Sequence, residues 1–76
     1  MNTTDYFDNH VLRKRSYLSK EFCEEIVKNA IREEVQIDGR IRFWGYDEQL
    51  NKYIRVVVLA DRKTIHNAFM DRNFKE

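Results

Sequence analysis

The chain has 76 residues with 14 Lys and Arg against 13 Asp and Glu, a formal net charge of +1, which excludes a second domain and any attraction to nucleic acid by global charge alone. A chain this short buries only about 60% of its unfolded surface, so a partner that adds burial is physically favoured. The lone Cys23 has neither a disulfide partner nor a Cys or His at ligand spacing, which excludes a disulfide scaffold and a zinc motif.

A reducing, cytoplasmic setting is therefore expected, with no metal and no cofactor. The start MNTTDYFDNH has neither a basic n-region nor an apolar h-region, and the longest apolar run, Val56 to Ala60, is too short to span a bilayer. A soluble protein with no membrane contact is expected. With no proline, two glycines and no repeat, residues 1–76 read as one compact domain.

In chain order, Phe7, Val11 and Leu12 sit at i, i+4, i+5 and predict a short amphipathic helix over about 5–15, with no strand before it. Ser19 can cap a second helix over about 20–30. Glu21 lies in its first turn beside the positive dipole end, and Phe22, Cys23, Ile26, Val27 and Ala30 form its apolar stripe.

After Ile31 the period changes to two. Asp38-Gly39 between alternating runs predicts a type I′ hairpin joining strands of roughly 33–37 and 40–46. Val35, Ile37, Ile41 and Phe43 then share the core face, and Arg40, Arg42, Trp44 and Tyr46 the other. The run YIRVVVLA has the β-branched density of a central strand. Asp61-Arg62-Lys63 is a turn, and TIHNAF closes the sheet with Ile65, Asn67 and Phe69 inward and His66 and Ala68 outward. The expected fold is α+β: two N-terminal helices packed on one face of a four-stranded antiparallel meander.

The order of His10, Arg13 and Arg15, a short helix, a DGR hairpin, a Val-rich strand and a closing HNAFMDRNFK resembles small bacterial proteins of a domain-of-unknown-function family placed near the BrnT and RelE toxins. The resemblance covers nearly the whole chain. It implies a RelE-like fold, an endoribonuclease activity on messenger RNA and an antitoxin protein as partner.

The outer face carries residues suited to such chemistry. Cleavage by attack of the RNA 2′-hydroxyl needs a base, an acid and cations around the crowded phosphate. His66 titrates nearest neutrality and is the candidate acid or base. Arg42 and Arg55 are candidates to hold the phosphate through forked donors. Trp44 and Tyr53 can stack bases, while Arg40 and Arg72 can bind the backbone. The competing reading is structural. Arg42 and Arg55 then pair with Glu34, Gln36 or Glu48, and Trp44, Tyr46, Tyr53, Val57 and Leu59 form an interface for a second copy or another protein. That reading expects a non-catalytic interaction module and a homo-oligomer.

Overall fold

The computed structural model describes all of residues 1–76. Five strands form one mixed sheet: β1 (Asn2–Thr3), β2 (Arg32–Val35), β3 (Ile41–Asp47), β4 (Lys52–Val58) and β5 (Thr64–Met70). Their spatial order is β1-β5-β4-β3-β2, with β1 parallel to β5 and the other neighbours antiparallel. The protein is α+β as expected, but the four-stranded antiparallel meander is corrected to a five-stranded mixed sheet. The reason is local. The Asn2 N–H donates to the Lys63 carbonyl at 2.7 Å and the Thr4 N–H to the Ile65 carbonyl at 3.0 Å, and a two-residue strand is too short to leave a periodic signal.

The first helix opens with a π turn over Phe7–Val11 and closes with an α turn over Leu12–Lys14. Widening the turn suits Phe7 and Val11, which are both fully buried against the sheet. The second helix, Lys20–Lys28, is capped as its sequence requires, with Ser19 Oγ accepting from the Phe22 N–H at 3.0 Å. It lies on β3 and β4. Ile26 carbons stand only 3.0 to 3.1 Å from where a Cβ on Gly45 would be, so the missing side chain lets helix and sheet approach. Phe7, Val11, Cys23 and Ile26 join Ile41, Phe43, Ile54, Val56 and Val58 in one core.

Three facing assignments are corrected. Val58 lies opposite Ile65 but Val57 lies opposite Asn67, so His66 is the extra residue of a β-bulge. Beyond it the alternation is reversed. Ala68 enters the core with no exposure, and Phe69 turns outward, its ring centroid 5.0 Å from the Arg55 guanidinium. Asn67 likewise pairs in the outer row beside Val57, and its Oδ1 accepts from the Ala68 N–H at 2.9 Å.

The hairpin differs as well. The Gly39 N–H donates to the Gln36 carbonyl at 3.0 Å, the Gln36 N–H to the Arg40 carbonyl at 2.7 Å, and only Gly39 of the loop has a positive φ, of 89°. This is a three-residue loop with a glycine bulge rather than a type I′ turn. Val35 and Ile37 belong to no core: they are 62% and 110% exposed, because the second helix lies over β3 and β4 and leaves the edge strand β2 uncovered.

Candidate nucleic-acid interface

The face opposite the helices is built on the cross-strand row Arg32, Trp44, Arg55 and Phe69, with Tyr46 opposite Tyr53 in the adjacent row. A segment that follows β5, Asp71 to Glu76, folds back over it. Asp71 is its root and is 7% exposed. Its Oδ2 accepts from Trp44 Nε1 at 2.9 Å and from Arg55 Nη2 at 2.8 Å and Nε at 3.0 Å, while its Oδ1 accepts from the Asn73 N–H at 3.1 Å. Burial alone pushes the Asp71 carboxyl up, but the bonds from Trp44, Arg55 and Asn73 outweigh it and hold the group below the usual carboxylate range.

Phe74 lies on the indole of Trp44 with centroids 4.9 Å apart and planes at 18°. Tyr53 meets Phe74 edge-on at 5.0 Å, and Tyr46 meets Tyr53 at 5.1 Å. The four rings form a continuous ladder across the outer face. The Tyr53 hydroxyl donates to Glu76 Oε2 at 2.5 Å, and this bond keeps the phenol pKa above its ordinary value.

The expected site residues have distinct surroundings. Arg55 is committed to Asp71. Arg42 is half-buried, and the Gln36 side-chain oxygen, turned toward it, accepts from Nε at 2.7 Å and Nη2 at 3.0 Å; Gln36 is among the partners expected for Arg42, whereas Asp71 is not among those expected for Arg55. Arg40 lies 3.7 Å from Asp38 Oδ2 beside the hairpin. Arg72 is exposed and makes no side-chain hydrogen bond, so it is Asp71, its neighbour, that reaches back to the sheet. The surface expected to be covered by a second copy is partly closed already. Trp44 is 3% and Val57 7% exposed, with Phe74 lying over the former.

His66 stands apart from this row, at the β5 bulge next to the N-terminal segment. Thr4 Oγ1 accepts from the Phe7 N–H at 3.1 Å and lies 3.1 Å from His66 Nδ1. The hydroxyl has a proton to donate to Nδ1 in the tautomer protonated on Nε2, and a second lone pair to accept from Nδ1–H in the other. Tyr6 lies 5.1 Å from the His66 ring and 5.5 Å from that of His10. Burial first, and the charge of Arg40 second, hold the His66 pKa below its ordinary value.

Sequence reasoning missed Asp71, Phe74 and Arg32. A signal for the first did exist: a buried indole N–H needs an acceptor, and Asp71 is the acid nearest the end of the last strand. Nothing in the periodicity marks Phe74, because it lies beyond the last strand. No group of three or more metal-ligating side chains converges anywhere in the molecule, and no helix is long and apolar enough to cross a membrane. Comparison of the chain with protein-family models, with curated proteins and with solved structures finds no match in any of the three.

Proposed function

We propose that this chain is a toxin-like protein that binds single-stranded RNA on the outer face of its sheet. The observation that carries the reading is the set of outer-face rings Tyr46, Tyr53 and Trp44, bridged in the free protein by Phe74, with neighbouring centroids 4.9 to 5.1 Å apart. Every base offers a π face, so a run of aromatic rings binds a strand without reading its sequence, and cations at its border hold the backbone. Arg32 and Lys75 border the ladder, and Arg72, exposed and without a side-chain hydrogen bond, follows Asp71 in the chain. The one buried acid, Asp71, is neutralised by Arg55. If the bound strand is cut, His66 is the group suited to move the proton, and Arg40 is the cation whose charge reaches it.

Fluorescence anisotropy of a labelled oligoadenylate across a salt series tests this. Log affinity should fall linearly with log salt, by about 0.7 per phosphate neutralised. Arg72→Ala with Lys75→Ala should flatten the slope by about 1.4. Absence of binding at low salt sinks the proposal.

The non-catalytic interaction reading moves to another surface. Val35 and Ile37 are exposed beside the unpaired edge of β2, and a second copy adding there would cover them. Sedimentation at micromolar concentration tests the second copy: a monomer removes self-association through this edge and leaves another protein as the partner of that reading.

A further inference from the structure

Phe74 occupies a place on the outer face where a planar group is held from three directions. The Trp44 indole stacks on it at 4.9 Å and 18°, the Tyr53 ring meets it at 5.0 Å and 62°, and the Arg32 guanidinium carbon lies 4.9 Å from its centroid. An indole plane, a second aromatic ring and a guanidinium are the groups that grip a nucleobase by stacking and cation–π attraction. The slot is open enough to leave Phe74 only half-buried, and Glu34, Asn73 and Lys75 stand at its rim.

Few hydrogen bonds hold the segment that carries the ring. The Phe74 backbone N–H reaches the Asp71 carbonyl at 3.4 Å, a long bond, the Asn73 N–H donates to Asp71 Oδ1 at 3.1 Å within the segment, and the hydrogen bond from beyond Asp71 back to the sheet is the exposed one between Tyr53 and Glu76. Arg72, Asn73, Lys75 and Glu76 are exposed. Asp71 is fixed separately by Trp44 and Arg55, so Phe74 can leave without undoing the buried root of the segment.

We propose that the slot between Arg32, Trp44 and Tyr53 is a nucleobase subsite, filled in the free protein by Phe74 and vacated when a base of a single strand stacks in its place. The inference rests on the RNA-binding reading and adds a base-for-phenylalanine exchange to it. Phe74 then acts as an internal competitor: it lowers apparent affinity by the fraction of molecules in which the slot is filled.

Trp44 is the single tryptophan of the chain, so its fluorescence reports the slot directly. Wild type, Phe74→Ala and Phe74→Leu are each titrated with an eight-residue oligoadenylate and with an abasic ribose-phosphate oligomer of equal length. Phe74→Leu guards against loss of packing in the alanine variant, since leucine fills volume but cannot stack. Both variants should bind the oligoadenylate about 3- to 10-fold tighter than wild type, the size expected from removing an occluding conformer, and with deeper quenching of Trp44. The abasic oligomer should bind all three alike and leave Trp44 unquenched. Wild-type binding with equal or weaker affinity in both variants, or with no quenching of Trp44, overturns the exchange and leaves the RNA-binding reading standing. Failure of all three to bind overturns both.

Discussion

The indole N–H of Trp44 donates to Oδ2 of Asp71 at 2.9 Å, joining β3 to the segment that follows β5 across 27 residues of chain. The same oxygen accepts twice from Arg55. One carboxylate therefore satisfies a buried indole, neutralises a half-buried guanidinium and fixes the root of the segment that carries Phe74.

Asp71→Asn keeps an acceptor for Trp44 but leaves the Arg55 charge uncompensated. The Arg55 side chain is 23% exposed, so water relieves part of the cost, and a loss of about 1 to 3 kcal/mol is expected. Chemical denaturation followed by Trp44 emission measures it. An unchanged midpoint would contradict the role given to this carboxylate.

The same group sets an acid limit. The Asp71 pKa is lower in the folded protein than in the unfolded chain, so its stabilisation is present in full above the unfolded value of about 3.9 and is lost as pH falls through the folded value. The difference in melting temperature between wild type and Asp71→Asn should be largest near neutrality and should shrink below about pH 4. A difference independent of pH would assign the effect to packing instead.

Packing on the helix side sets two opposite demands. Phe43→Ala opens a cavity in the core and should cost about 3 to 5 kcal/mol, enough to threaten a domain of this size. Gly45→Ala places a Cβ 3.0 Å from Ile26 and should cost about 1 to 3 kcal/mol by pushing the second helix off the sheet. Thermal melts of both variants test the facing of β3, and a neutral Gly45→Ala would show that the helix yields freely.

Cys23 has no exposed surface, and burial, with the neighbouring Glu24 charge, pushes its thiol up to about 12. It should resist thiol-specific reagents in the native protein and react fully in denaturant. Rapid native labelling would mean that the second helix opens locally.

His66 should titrate below an ordinary histidine, since burial and Arg40 both disfavour its charged form, and Arg40→Ala should raise its midpoint in a proton NMR titration. His66→Ala should leave RNA binding intact and remove any cleavage. Growth arrest on overproduction of the wild type but not of this variant is the expected cellular result. Arrest by both would separate toxicity from the histidine.

Sequence by itself determined the elements whose cause is local. The Ser19 cap, the apolar stripe of the second helix and the inward faces of β3 and β4 stand where periodicity put them, because hydrogen-bonded turns and alternation act over a few residues. The inventory of the outer face, with Trp44, Tyr53 and Arg55 together, followed from the same alternation. Tertiary structure decided what no local pattern encodes. The bulge at His66 inserts one residue against the partner strand and so reverses Ala68 and Phe69, and a two-residue β1 exists only because β5 offers it an edge. The pairing of Asp71 with Trp44 and Arg55, and the seating of Phe74 on the ladder, depend on contacts between residues distant in the chain. Those contacts fix which outer residues remain open to a ligand.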